Sequence, residues 1–173
     1  MAEVSTANLQ AIAARAQLYG IDTSMLEWWN SGNSHHILHE DLKIGNNSAW
    51  QHGVIAGAGT PDSSMTLYKI DVTDPGNPTV AFNNKTKLAR QYYKFARTGA
   101  VRIEAISDDS DFDPLAFINA NGKYVVVVNT DTGGSFTING LKAGYYGIKY
   151  TTSAQYDHRT RTWQINKSTA GNR

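Results

Sequence analysis

The chain has 173 residues, 40% of them hydrophobic and 18% charged, with 16 basic residues against 15 acidic ones and no cysteine. This composition suits a globular protein with a real core and excludes a disordered chain, a disulfide framework and cysteine-ligated zinc. The near-neutral balance, without a basic run, argues against nucleic acid as a partner, and apolar runs such as residues 125–128 are far too short to span a bilayer.

Residues 1–6 show no secretory leader pattern. Residues 5–19 then read as a helix, with Leu9, Ile12, Ala13, Ala16 and Tyr19 on one face, Ser5 or Thr6 as N-cap and Gly20 as the stop. A short apolar segment, 21–29, reads as a buried strand ending in the turn cluster Asn30-Ser31-Gly32-Asn33. Ser34 caps a second helix to about residue 44, and 48–56 reads as another buried strand. Strand, helix, strand in that order predicts parallel strands joined by a crossover helix.

Beyond residue 60 the pattern changes. Short strands are predicted at 65–72, 101–106, 115–119, 123–129, 135–138 and 145–152, with one helix at about 85–97. Turn signals separate them, among them Asp74-Pro75-Gly76 and Gly133-Gly134. Asn121-Gly122 between two apolar runs is a strong hairpin signal. The expected class is α+β to mainly β: a partial (β/α) barrel segment over 1–60, followed by an antiparallel β-sandwich over 61–173.

Glu27 stands out. It lies at the C-terminal end of a predicted buried parallel strand, flanked by Leu26, Trp28 and Trp29. A carboxylate in such surroundings is costly unless it is used or paired. Catalytic groups of α/β barrels gather at strand C-termini, retaining glycosidases need a carboxylate nucleophile, and tryptophan rings pack well on sugar faces. A buried glutamate held by an arginine or by backbone donors explains the position equally well.

Tyr19-Gly20-Ile21-Asp22-Thr23-Ser24-Met25-Leu26-Glu27-Trp28-Trp29 resembles the seventh barrel strand of clan A glycoside hydrolases. Asp41-Leu42-Lys43-Ile44-Gly45-Asn46-Asn47-Ser48-Ala49-Trp50-Gln51 resembles the helix and eighth strand of glycoside hydrolase family 30 and its neighbours. The segment 90–103, from Arg90-Gln91-Tyr92-Tyr93 to Val101-Arg102-Ile103, is similar to the helix and entry strand of their appended β-sandwich, and 117–129 to a later hairpin. The resemblance implies a secreted enzyme that needs no cofactor and acts by double displacement, with Glu27 as nucleophile. A second carboxylic acid would then protonate the leaving oxygen and activate water. In this family that acid/base follows the fourth barrel strand, which this chain does not contain, so the chain is expected to be a fragment inactive alone, and 162–173 is expected to end without the final sandwich strand. Relatives carry an aromatic where His52-Gly53 stands here.

Trp28, Trp29 and Trp50 are candidate sugar platforms, with core packing as the alternative. His52 is a candidate to bond a sugar hydroxyl, and His35, in the loop-helix region after the strand, a candidate substrate contact. His35 and His39 share a helical spacing suited to a metal, but no His-Glu-x-x-His pattern exists, so surface histidines are the commoner explanation and no metal is expected. Asp108, Asp109, Asp111 and Asp113 lack the EF-hand glycine and terminal glutamate and read as a solvated turn. Two rival functions remain. A non-catalytic carbohydrate-binding sandwich requires Tyr145, Tyr146, Tyr150, Tyr156 and Trp163 to form an open platform; a purely structural sandwich leaves the segment around Glu27 unexplained. Bare barrel strands also predict self-association.

Overall fold

The computed structural model describes residues 5–28, 34–58, 66–152 and 158–165, and the chain divides into two compact units, Met1–Arg90 and Gln91–Arg173. No described helix is long and apolar enough to cross a membrane.

The first unit begins with helix α1 (Thr6–Tyr19). The Ser5 side chain accepts the Asn8 N–H, and Gly20, at φ 63°, ends the helix while the Ile21 N–H bonds the Ala16 carbonyl at 3.0 Å. Leu9 and Ala16 are buried, whereas Ile12 and Tyr19, expected on the same face, are exposed. Strand β1 (Ser24–Trp28), helix α2 (Ser34–Lys43) and strand β2 (Ala49–His52) form the expected unit: β1 and β2 pair in parallel, Ser24 with Ala49 and Met25 with Trp50. Their N-terminal ends are tied by Ser48 N–H to the Thr23 carbonyl (2.8 Å), Thr23 Oγ1 to Asn47 Oδ1 (2.7 Å) and Ser48 Oγ to Asp22 Oδ1 (3.0 Å). The exit from α2 requires glycine, because a Cβ at Gly45 would stand 2.7 Å from the Asp41 carbonyl oxygen.

The strand expected over 48–56 divides at Gly53. Strand β3 (Val54–Ala58) leaves β2 for another sheet, pairing in parallel with β4 (Thr66–Asp71), which pairs antiparallel with β5 (Thr79–Phe82). β5 was not foreseen: four exposed residues following Pro78 give no alternation to read. Asn83, fully buried, joins β5 to helix α3 (Asn84–Tyr93). Its N–H meets the Leu67 carbonyl at 3.2 Å and its Nδ2 the Thr66 carbonyl at 2.6 Å, while the Thr86 hydroxyl donates to the Leu67 carbonyl. α3 stops short of the predicted end, and the turn after it bonds the Phe95 and Ala96 N–H groups to the Tyr92 carbonyl.

In the second unit, β6 (Val101–Ile103), β7 (Asp113–Ile118) and β8 (Tyr124–Asn129) form an antiparallel sheet. Leu115, Ala116, Phe117 and Val127 are its buried side chains. The Asn121-Gly122 hairpin forms where expected, with Gly122 at φ 76°. Asn119 beneath it is buried and uses both ends of its amide: Oδ1 accepts the Arg97 N–H (2.9 Å) and Nδ2 donates to the Phe95 carbonyl (2.8 Å). Tyr92 is buried with its hydroxyl 3.0 Å from Asn129 Oδ1. Residues 135–138 form no strand; Phe136 instead lies against Phe112 (ring centroids 5.1 Å), and Gly134 is so close to the Phe112 ring that a Cβ would meet it at 2.8 Å. The acidic loop is a solvated turn, Asp109 Oδ1 accepting the Asp111 N–H at 2.9 Å.

Strand β9 (Gly144–Tyr150) pairs antiparallel with β10 (His158–Ile165). The expectation that 162–173 holds no strand is corrected here for residues 162–165. Threonines, Trp163 and Ile165 give the segment 158–165 strand propensity, but basic residues interleaved among them hide the apolar pattern.

Candidate functional site

The candidate site lies at the C-terminal ends of β1 and β2. Glu27 is exposed there, next to Trp28, which is buried and pairs in register with His52 across the sheet; the Gly53 N–H closes the pair onto the Trp28 carbonyl at 2.9 Å. A register irregularity between Met25 and Trp28 interrupts the alternation of β1 just where Glu27 emerges, so Leu26 and Glu27 are both exposed. Irregularities of this kind re-aim side chains beside active sites. The costly buried carboxylate envisaged at position 27 is therefore absent, and the acid is open to solvent.

On β2, Ala49 and Gln51 are exposed while Trp50 is buried. Trp50 turns toward α2, where its Nε1 donates to Asp41 Oδ2 at 2.7 Å, and its ring meets His52 in an edge-on arrangement with centroids 6.3 Å apart. His52 is half-buried, and neither ring nitrogen has a hydrogen-bond partner among the described residues. Burial and the charge of Lys85 lower its pKa from 6.5 to about 4. His35 is half-buried on α2 with its ring 4.1 Å from that of His36. Trp29 lies outside the described residues. Among those residues no cluster of three or more His, Asp or Glu side chains could hold a metal.

Asp41 escaped the sequence reading. It is 1% exposed on α2, one helical turn from the equally buried Leu38, with the buried Gly45 a further turn on. No apolar periodicity marks it, since of the buried positions 38, 41 and 45 only Leu38 is a hydrophobic residue. Burial raises its pKa, and the nearby Glu40 adds to the rise, against the opposing hydrogen bond from Trp50.

His52 gives a pH prediction. The unfolded chain takes up a proton near 6.5 while folded His52 resists it down to about 4. The folded state therefore binds fewer protons in that window, and this contribution to stability falls as pH is lowered through it. Urea unfolding at pH 7 and pH 4.5 should show a smaller acid loss for His52→Gln than for the unchanged chain. Equal losses contradict the assignment.

Residues 99–155 match the family model described as the glycosyl hydrolase family 30 beta sandwich domain. The chain resembles the C-terminal part of a family 30 glycoside hydrolase. Among solved structures it is similar to the catalytic domain of GH30 xylanase C from Talaromyces cellulolyticus, with 24% identity and a TM-score of 0.58 over 78% of this chain and 31% of that one. It is also similar to SrfJ from Salmonella typhimurium, with 14% identity and a TM-score of 0.58 over 91% of this chain and 36% of that one. The chain thus spans about a third of each. No curated protein matches it. At these identities the structural likeness speaks for the fold: a barrel segment followed by largely antiparallel sheets of the family 30 β-sandwich kind.

Proposed function

We propose that this chain is the C-terminal part of a retaining O-glycoside hydrolase, with residues 1–60 as the last strand–helix units of a (β/α)8 barrel and 61–173 as its β-sandwich. Glu27 is the nucleophile, and a β-linked polysaccharide or glycoside is the substrate. The observation that carries this reading is the exposed Glu27 at the C-terminal end of β1, a strand paired in parallel with β2 through a helical crossover. In an α/β barrel, that end of the strands is where the chemistry is done. The family 30 match downstream supports it.

Glu27 attacks the anomeric carbon and displaces the aglycone oxygen, which a second carboxylic acid protonates. That same carboxylate then takes a proton from water as water releases the sugar from Glu27. The acid/base belongs about 5 Å from Glu27, and the 173 residues alone are proposed to lack turnover for want of it. Trp29 and His35 are proposed to contact the sugar, while Trp28, buried next to Glu27, packs behind the site. Trp50 and His52 form its support from the β2 side. Action outside the cell follows from the same resemblance. In a complete barrel carrying this segment, NMR of the first-formed product should show the anomeric configuration of the substrate; an inverted product contradicts the mechanism.

A second reading, a non-catalytic carbohydrate-binding sandwich, is favoured by Tyr145, 75% exposed on β9 next but one to Gly147, beside which an added Cβ would meet open space. Tyr146 faces the other side of the strand and donates its hydroxyl to the Lys142 carbonyl at 2.8 Å, so the two rings do not share a platform. The side chains of Tyr156 and Trp163 lie outside the described residues. Retarded migration of the chain in gels containing xylan or β-glucan, abolished by Tyr145→Ala, is the expected result of this reading; unretarded migration rejects it.

We also propose self-association through the bare apolar positions Leu26 and Ile55, both 69% exposed. A monodisperse monomer in light scattering contradicts it.

A further inference from the structure

We infer that Asp41 is a positioning residue that acts through Trp50 on the end of the β1–β2 pair where Glu27 emerges. The inference rests on the role of Glu27 proposed above. Asp41 is held on three counts: it lies on the buried face of α2 with Leu38, its carbonyl accepts the Asn47 N–H at 3.0 Å, and its Oδ2 stands 2.7 Å from Trp50 Nε1. The indole has a single donor, so this bond satisfies it and fixes the ring in one orientation. A carboxylate acceptor makes the bond shorter and stronger than a neutral one.

The fixed Trp50 ring then presents its edge relationship to His52 at 6.3 Å, and His52 is the register partner of Trp28, the residue that follows Glu27. Orientation passes in this way from the helix to β2 and across to β1. An apolar pair at 41 and 50 would pack the same volume without burying a carboxylate. What the polar pair adds is a unique ring orientation, which is of use where a neighbouring strand must aim a reactive side chain.

The test is made on the whole 173-residue chain labelled at the indole nitrogens. In the unchanged chain the Trp50 indole N–H is expected to exchange slowly with solvent. Asp41→Ala should accelerate that exchange about tenfold or more and displace the Trp28 indole resonance as well. Asp41→Asn, which keeps an acceptor oxygen, should restore both. Should Asp41→Ala fail to fold, Trp50→Phe takes its place, with the Trp28 resonance as the readout. An unmoved Trp28 resonance in either variant, or failure of asparagine to restore the alanine effect, overturns the inference. None of these signals depends on sugar turnover, so the nucleophile assignment can fail separately.

Discussion

Glu27→Gln, placed in an active barrel that carries this segment, is expected to lower kcat by roughly 10⁴-fold or more, the scale on which loss of a covalent nucleophile is felt. Glutamine keeps the size and shape of the side chain and loses only the charge and the nucleophilic oxygen. Glu27 is exposed, and surface substitutions of that kind shift stability within about 0.5 kcal/mol. An activity loss with unchanged thermal unfolding is therefore chemical in origin. A variant that keeps most of its turnover removes Glu27 from the mechanism.

The largest effect on stability is expected at Asn119. Its amide joins the segment after α3 to the β7–β8 hairpin through Arg97 N–H and the Phe95 carbonyl, while its own N–H and carbonyl close the hairpin with Lys123 and Gly122. Alanine keeps the backbone bonds and leaves a part-buried donor and acceptor without partners. The expected loss is about 2 kcal/mol, or a fall in Tm of roughly 4–8 °C for a chain of this size. Asn119→Asp restores the acceptor for Arg97 but sets a carboxylate oxygen against the Phe95 carbonyl, so it should also be less stable at neutral pH and recover on acidification as the carboxyl regains a proton. Differential scanning calorimetry of the two variants at pH 7 and pH 4 checks both statements, and an unchanged Tm for the alanine variant contradicts them.

The barrel segment was legible because its signals are local. Ser5 and Gly20 mark the limits of α1, and Ser34, read as the cap of the second helix, is where α2 begins. The hairpin at Asn121-Gly122 was legible for the same reason. β5 and β10 were not. Each takes its identity from a partner strand elsewhere in the sequence, β4 at Thr66–Asp71 and β9 at Gly144–Tyr150, and neither shows a clean apolar alternation of its own. Conversely, residues 135–138 have strand-like composition but no partner among the described strands, and the contact of Phe136 with Phe112 prevails.

At the site, Glu27 could be singled out from its place after an apolar run, but its exposure could not. That depends on the irregular register between Met25 and Trp28, a property of the β1–β2 pair. The orientation of Trp50 was equally hidden, since it is set by a hydrogen bond from β2 to α2 nine residues earlier in the chain. The sequence places an aromatic at the mouth of a strand but does not show that its indole nitrogen is bonded to Asp41.

Covalent trapping tests the central claim most directly. A complete barrel carrying these residues, incubated with a 2-deoxy-2-fluoro glycoside bearing a good leaving group, should accumulate an enzyme heavier by one fluorosugar, with the label on the peptide containing Glu27 after proteolysis. A label on any other carboxylate, with Glu27 unmodified, would show that the nucleophile lies elsewhere.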